Sequence, residues 1–256
     1  MILCFHQGIA IPAAGDGPGI HMNSWKLHSP PDLKDRSHVF VDRKTAGERL
    51  ATMLKDYRGS DAMVLGIPAG GVPVAAVIAE TLALPLLVIP VSKILFPWTT
   101  ESGFGAVAWD ETEWLNLEMI NAANLDAKTI AMATEQARAK VRRRLEQLYG
   151  NRPLPSFSGK TIIVVDDGIA AGSTMRTAIN ALQKAKTGHI ILAVPTGYET
   201  TLQNLLDRVD GIYCANRRGG YRFAVADAYT NWSDVSEDDV VAIVQQFENR
   251  QRENTC

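Results

Sequence analysis

Residues 161–174 constrain the fold of this chain more than any other stretch. Residues 161–165 form a continuous apolar, β-branched run, which is typical of a strand buried on both faces of a parallel sheet. The run ends in two adjacent carboxylates, Asp166 and Asp167, and then come small residues, a glycine and two hydroxyls. Apolar side chains recur at helical spacing over residues 175–186. This order of strand, acidic turn, small-residue loop and helix predicts an α/β fold.

The loop between this strand and helix has the composition of a site for a phosphorylated sugar. Open α/β sheets bind ligands at the carboxyl ends of their strands, and a helix N-terminus there offers free amides to a phosphate. Because carboxylates repel phosphate, we expect Asp166 and Asp167 to face a sugar diol or a Mg²⁺ ion. A plain junction with an aspartate N-cap is the alternative, but it requires one acid rather than two.

The same segment resembles the phosphoribosyl-pyrophosphate (PRPP) signature of type I phosphoribosyltransferases, and the resemblance covers about residues 38–247. It implies an α/β, parallel-sheet, Rossmann-like fold with a small hood or flap and flanking helices. It also implies transfer of ribose 5-phosphate from PRPP to a nitrogenous acceptor such as a base. Release of pyrophosphate and dependence on Mg²⁺ belong to the same expectation.

The resemblance implies a role for each part of the segment. Asp166 and Asp167 contact the ribose hydroxyls, directly or through Mg²⁺, so they are also the candidate metal ligands. Purine-salvage members often carry an aspartate where this chain has Ala170, which argues against a hypoxanthine/guanine enzyme of the usual kind. The loop that binds the 5-phosphate consists of Ala170, Ala171, Gly172, Ser173 and Thr174.

A second strand, loop and helix are predicted at residues 62–67, 68–73 and 73–83. The loop contains Ala69, Gly70 and Gly71, and paired glycines permit close backbone approach and an anion-binding nest of amides. In the resembled family this loop binds pyrophosphate; a tight connection without a ligand is the alternative. The most similar subgroup commonly reads Gly-Ile-Pro-Arg-Gly-Gly-Val-Pro, so Ala69 replaces an arginine and one fixed cation is absent.

Residues 86–91 predict a third strand, and Lys93 follows its carboxyl end. The resemblance implies a basic residue there as the partner of a phosphate or pyrophosphate. Lys93 therefore joins Asp166 and Asp167 as a catalytic candidate, with a solvated lysine as the alternative. Residues 94–116 match the flap of the resembled family, and we expect part of them to form an antiparallel ribbon.

Residues 117–149 predict a helical insertion that is broken near residues 124–126. We interpret its basic cluster at residues 138–144 as a solvated face. Residues 215–235 match the family's hood elements. Further strands are predicted at 190–194, closed by Pro195, and at 211–214, and further helices at 198–206 and 237–247. Three aromatic side chains are candidates to stack on a planar acceptor, with core packing as an equally good alternative: Phe223, Tyr229 and Trp232.

Residues 40–57 predict an amphipathic helix that covers the sheet. Asp42 caps it, and Arg43, Lys44, Glu48 and Arg49 are expected mostly on its solvent side. Residues 1–35 contain four glycines and four prolines without a lasting period, which predicts a poorly ordered N-terminal extension. Residues 36–250 then form one phosphoribosyltransferase-like domain.

Composition narrows the choice of partners. The formal charge of −2 gives no reason to expect nucleic acid, and no apolar run approaches the roughly 20 residues of a membrane span. Three scattered cysteines suit a reducing compartment, so we expect a cytoplasmic protein. PRPP and a small-molecule acceptor are the expected ligands, and the resemblance implies a homodimer.

Two other functions compete with the transferase. A catalytically weak protein that senses PRPP or nucleotides on the same fold is the main alternative, and the loss of arginine at Ala69 favours it. A Rossmann dehydrogenase is disfavoured, because no Gly-x-Gly-x-x-Gly motif follows a first strand and residues 66–71 have the wrong spacing.

Overall fold

A computed structural model describes residues 26–220 and 223–253. Six strands form a parallel central sheet, and three form a small antiparallel sheet. In chain order they are β1 Leu27–His28, β2 Met63–Gly66, β3 Leu86–Val88, β4 Val91–Leu95, β5 Gly103–Ala108, β6 Glu113–Leu115, β7 Thr161–Val165, β8 His189–Tyr198 and β9 Gly211–Arg218. The central sheet has the order β1-β9-β8-β7-β2-β3, and the small sheet has the order β4-β5-β6.

Helices cover both faces of the central sheet, as the α/β prediction requires. They are α1 Arg43–Met53, α2 Gly71–Leu82, α3 Leu117–Ala122, α4 Ala127–Tyr149, α5 Ser173–Lys184, α6 Glu199–Leu205 and α7 Glu237–Glu253. Alternate residues of β7 point to opposite faces: Ile163 packs in a core with α1 and α2, and Ile162 packs in another with α5 and α6. The doubly buried strand predicted at 161–165 is confirmed. No helix in the described part of the chain is long and apolar enough to cross a membrane.

The centre of the sheet contains a change of direction in strand order. β2 and β7 are neighbours, and β2 is followed through α2 by β3 on one side of the pair. β7 is followed through α5 by β8 on the other side. The connections that follow β2 and β7 therefore run to opposite sides of this pair, which makes the carboxyl ends of these two strands a switch point. This is the position at which open α/β sheets bind ligands.

The small sheet confirms the antiparallel ribbon expected within residues 94–116. β5 pairs with β4 on one side and β6 on the other, and their apolar side chains pack on α3 and α4. The predicted break between these two helices is also confirmed. Asp126 caps α4, because its carboxylate accepts a hydrogen bond from the Thr129 amide at 2.7 Å.

Several predicted boundaries are wrong. The single strand expected at residues 86–91 is in fact two strands. β3 lies at the edge of the central sheet and β4 belongs to the small sheet, and Pro90 lies between them. β8 does not stop at Pro195, because β7 has already ended there and the missing amide disrupts no ladder. β9 extends four residues beyond the predicted 211–214.

The N-terminal prediction is corrected in part. β1 pairs in parallel with β9, and a 3-10 turn follows at Pro31–Leu33. The Asp35 amide then donates to the carbonyl of Arg217 at 3.0 Å. A two-residue strand has no periodicity to detect, so backbone pairing orders a segment whose sequence predicted no order. Residues 1–25 lie outside the described residues.

Candidate active site

The loops that leave β2 and β7 touch each other at the switch point. A Cβ atom on Gly70 would overlap the Asp167 carboxylate, and a Cβ on Gly71 would lie 2.7 Å from the Val165 carbonyl oxygen. Gly70 has ordinary helical angles, with φ −62° and ψ −30°. This glycine is therefore required for close approach rather than for an unusual backbone conformation. The structure brings the predicted pyrophosphate loop into contact with the predicted sugar-binding acids.

The two adjacent acids are half-buried, and their charges repel each other. The Asp167 amide donates to Asp166 Oδ1 at 2.9 Å. Burial and the neighbouring charge of Asp167 raise the pKa of Asp166 well above its usual range. Burial also raises the pKa of Asp167, and Arg43 opposes that shift. Groups that donate hydrogen bonds or carry positive charge are therefore favoured at this position.

Arg43 provides most of the charge compensation. Its Nε and Nη2 lie 3.0 and 2.9 Å from Asp167 Oδ2, and its Nη1 donates to the Ser233 carbonyl at 2.8 Å. The side chain is 11% exposed. The prediction that Arg43 faces solvent is wrong, because it is the first residue of α1 and extends from the helix end rather than from one face. A helical pattern alone does not signal this position.

The start of α1 is fixed by a capping box. The Asp42 carboxylate accepts from the Thr45 amide at 2.8 Å, and the Thr45 hydroxyl accepts from the Asp42 amide at 3.1 Å. These bonds satisfy amides that would otherwise have no helical partner. They also fix the residue at which the helix begins, and hence the position of the Arg43 backbone. The predicted cap at Asp42 is confirmed.

Two of the predicted acceptor-stacking residues, Tyr229 and Trp232, pack on each other with ring centroids 5.2 Å apart, and Phe223 lies elsewhere. Tyr229 is 1% exposed and belongs to the core, and its hydroxyl donates to the Asp167 carbonyl at 2.7 Å. Burial raises its pKa. Trp232 lies over Arg43, with 4.0 Å between the ring centroid and the guanidinium carbon. Phe223 instead contacts the ring of Tyr198. Tyr229 therefore supports the acid loop through the Asp167 carbonyl and has no free ring face for an acceptor.

The predicted 5-phosphate loop is anchored to the overhang of β8. The Ile169 amide donates to the Thr196 carbonyl at 3.0 Å, and the Tyr198 amide donates to the Ile169 carbonyl at 2.8 Å. Thr201 donates its hydroxyl proton to the carbonyl of Ala170 at 2.6 Å. The length of β8 beyond Pro195, which sequence reasoning missed, therefore holds this loop in place.

The loop ends in the N-terminus of α5. Gly172 is the N-cap residue with φ +77°, a conformation that favours glycine. α5 begins at Ser173, two residues earlier than predicted, so the amides of Ser173 and Thr174 belong to its first turn. Such amides have no intrahelical partner and are available to an anion. Ala170 and Ala171 are exposed at the same edge.

Lys93 lies in β4, where its side chain is exposed. Its Nζ donates to the Glu101 carbonyl at 3.4 Å. Its charge also works against the raised pKa of Asp166, so the two groups lie within electrostatic reach of each other.

A second buried arginine lies beneath the pyrophosphate loop. Arg144 is 6% exposed, its Nε donates to both carboxylate oxygens of Glu237 at 2.8 and 2.9 Å, and its Nη1 lies 3.4 Å from the Pro68 carbonyl. The solvated-face interpretation of residues 138–144 is wrong for Arg144. Ala69 and Leu148, the latter one helical turn further along α4, pack against the same apolar cluster. Other cations of the cluster do lie at the surface, where Arg138 pairs with Glu113 and Glu135, and Arg142 with Glu111 and Glu135.

The carboxylates fit a magnesium ion that arrives with a phosphate ligand. Within residues 26–220 and 223–253, no cluster of three or more His, Cys, Asp or Glu side chains can hold a metal by itself. Mg²⁺ commonly uses one or two carboxylates, waters and substrate phosphates. Asp166 and Asp167 supply such carboxylates, although Arg43 already occupies Oδ2 of Asp167.

Comparison with solved structures agrees with this architecture. The chain is similar to the crystal structure of TT1426 from Thermus thermophilus, with a TM-score of 0.65 and 28% sequence identity. The similarity covers 81% of this chain and 98% of that one.

Comparison with protein sequences identifies the family. Two curated relatives from Mycobacterium tuberculosis strains CDC 1551 / Oshkosh and ATCC 25618 / H37Rv, each named "Putative phosphoribosyl transferase", are 33% identical over 206 residues. The match covers 80% of this chain and 46% of each relative, so the chain spans about half their length. The profile of the phosphoribosyl transferase domain matches residues 42–204, which contain both switch-point loops. The chain therefore belongs to the phosphoribosyl transferase family.

Proposed function

We propose that this protein transfers ribose 5-phosphate from PRPP to a nitrogenous acceptor, with release of pyrophosphate. The observation that carries the proposal is the contact between two loops of different chemistry at one switch point. One loop pairs two carboxylates with the free amides of a helix N-terminus, and the other is a glycine turn pressed against those carboxylates. A sugar that carries phosphate at one end and pyrophosphate at the other matches this arrangement.

The residues have separate tasks in the proposed reaction. Asp166 and Asp167 accept hydrogen bonds from the ribose hydroxyls, and the amides of 170–174 with the hydroxyls of Ser173 and Thr174 bind the 5-phosphate. The bond from the anomeric carbon to the pyrophosphate oxygen breaks as the acceptor nitrogen forms a new bond to that carbon. Positioning of the reactants therefore supplies much of the rate enhancement.

Charge on the leaving group requires its own stabilisation. The backbone of the turn at Gly70 and Gly71 and the ammonium of Lys93 are the groups proposed to bind the pyrophosphate. A bound Mg²⁺ would neutralise part of the diphosphate charge, held by Asp166 and Asp167 directly or through water. We propose that the flap containing β4 and β5 covers the site and excludes water from the cation-like sugar.

Calorimetric titration with PRPP, with and without Mg²⁺, tests this function. We expect Mg²⁺-dependent binding to the wild type, and a loss of at least about 100-fold for the combined change Asp166→Asn and Asp167→Asn, which removes two charge-assisted contacts at about 1.5–3 kcal/mol each. Asp61→Asn is the matched control, because Asp61 is exposed just before the amino end of β2. Unchanged PRPP affinity in the double variant would contradict the site assignment.

A sensor of PRPP or nucleotides is the second candidate. The observation that favours it is Ala69, which leaves the pyrophosphate loop without an arginine of its own. Binding of PRPP without turnover of any nitrogenous base would favour the sensor. Release of pyrophosphate, followed by an enzyme-coupled assay across a panel of bases, would favour the transferase and identify the acceptor.

A further inference from the structure

We propose that Arg43 is a positioning residue for the sugar-binding acids: it holds Asp167 by one carboxylate oxygen and directs the other towards the ribose hydroxyls. This inference rests on the proposed function and adds to it a residue outside both switch-point loops. Arg43 comes from α1, an element whose sequence predicted only a covering role.

The first argument is the set of atoms that the Arg43 guanidinium contacts. Two nitrogens of Arg43 meet the same oxygen, Oδ2 of Asp167, and the third donates to the Ser233 carbonyl. The Nε contact is a charge-assisted hydrogen bond, which is stronger than a neutral one, and the Nη2 contact is an ion pair with the same oxygen. Because both contacts converge on Oδ2, the carboxylate cannot rotate without breaking them, and neither nitrogen contacts Oδ1.

The second argument is the packing on either side of this ion pair. Gly70 lies directly against the Asp167 carboxylate, so the acid is confined between Arg43 and the pyrophosphate loop. The backbone of Asp167 is held separately, through the hydroxyl of Tyr229 on its carbonyl. Backbone and side chain are thus fixed by different partners. This is the support that a site needs to keep a ligating atom in place.

The third argument is the choice of arginine rather than lysine. The guanidinium carbon lies 4.0 Å from the centroid of Trp232, and a contact with an aromatic face favours the flat, delocalised cation. A lysine could supply the charge but neither the second nitrogen on Oδ2 nor the bond to Ser233. Arg43 therefore joins α1, the acid loop and the segment around Trp232 in one geometry.

The experiment compares PRPP affinity in the presence of Mg²⁺ for the full chain and three variants. We expect Arg43→Met to weaken binding at least tenfold and Arg43→Lys to weaken it by an intermediate factor. Arg49→Met is the matched control from the same helix, because Arg49 pairs with exposed Asp32; its affinity should stay within twofold of the wild type. The same order is expected with ribose 5-phosphate, which lacks the pyrophosphate.

The outcomes separate this inference from the function on which it rests. A wild type that does not bind PRPP overturns both. A wild type that binds PRPP, with Arg43→Met or Arg43→Lys equal to it, overturns only the role of Arg43. A loss with PRPP that is absent with ribose 5-phosphate would assign Arg43 to the pyrophosphate and also overturn it. Melting temperatures identify variants that fail to fold, and Arg43→Lys then decides the question.

Discussion

Two partly buried arginine–carboxylate pairs flank the switch point, and they differ in the part of the chain that carries the carboxylate. Arg43 pairs with Asp167 of the sugar loop, with side-chain exposures of 11% and 14%. Arg144 pairs with Glu237 at the start of α7, with exposures of 7% and 32%. Arg43 contacts only one oxygen of the first carboxylate, whereas Arg144 binds both oxygens of the second.

The contrast between the pairs shows that burial of an ion pair does not by itself indicate its task. Removing one partner of a buried pair commonly destabilises a protein by about 3–5 kcal/mol, whatever the pair does. The distinction lies in the remaining contacts of each pair. Arg144 and Glu237 tie α4 to α7 and to the Pro68 carbonyl, so we assign that pair to folding. Asp167 belongs to the ligand loop, so we assign the other pair to binding.

The largest effect is expected for Arg144→Met. Because Glu237 is partly exposed, the loss of stability should be about 2–3 kcal/mol, less than for a fully buried pair, and the melting temperature should fall by about 4–12 °C. PRPP affinity should change less than in Arg43→Met. Thermal unfolding and calorimetry measure both, with Arg143→Met as the exposed control on the same helix. An unchanged melting temperature with lost binding would reverse the assignment of the two pairs.

Gly70→Ala tests whether the Asp167 carboxylate is confined against the pyrophosphate loop, as its assignment to binding requires. Since Gly70 has φ −62°, alanine is compatible with the backbone, and the three nearest atoms to its Cβ would all belong to Asp167. We expect PRPP affinity to fall at least tenfold, or about 1.4 kcal/mol. Gly211→Ala is the control, because its nearest neighbour would lie at an ordinary 3.4 Å. Equal affinities for the two alanine variants would show that the acid is not confined.

Asp166→Asn removes the acid that has no buried arginine partner among the described residues. Burial and Asp167 raise the pKa of Asp166, so its proton is held more tightly in the folded than in the unfolded state. The contribution of Asp166 to the stability of the fold is fully present at pH values below the pKa of an unfolded aspartate. It is lost as the pH rises through the raised pKa of the folded state. The variant should therefore be more stable than the wild type at pH 8, although it binds PRPP less tightly. Denaturant unfolding at pH 4 and pH 8 measures this; a gain that does not grow with pH would contradict it.

The smallest effect is expected for the exposed pair of Arg49 and Asp32. Its side chains are 35% and 52% exposed, and surface pairs contribute roughly 0–1 kcal/mol. Arg49→Met should therefore change the free energy of unfolding by less than about 0.5 kcal/mol, as measured by urea denaturation. A loss as large as that of Arg144→Met would mean that exposure does not rank these pairs.

The sequence predicts the central elements well where periodicity and turn chemistry agree. The run at residues 161–165, the glycine pair at 70–71 and the cap at Asp126 each correspond to an observed feature of the fold. The loops after β2 and β7 are adjacent because these two parallel strands are neighbours in the sheet, which neither loop sequence indicates by itself. Amino-acid composition could not have predicted this adjacency either.

The errors have physical causes that a one-dimensional pattern does not contain. Helical periodicity assigns side chains to faces, but Arg43 leaves α1 at its end. An apolar position is equally suited to a core or a ligand, so Tyr229 could be identified as a core residue only from its packing. β1 and the far half of β8 are held by backbone pairing, which leaves little trace in side-chain pattern.

The span of the Arg43 contacts in the chain has a consequence for synthesis. Asp167 lies 124 residues after Arg43, and Ser233 lies 190 residues after it. At translation rates of about 5–20 residues per second, roughly 10–40 s separate the emergence of Arg43 from that of Ser233. The core strands exist before the last contact of the guanidinium can form, so a nascent chain would pass through a stage with a sheet but an unfinished acid pair. Pulse labelling of stalled chains on either side of residue 233 would reveal that stage.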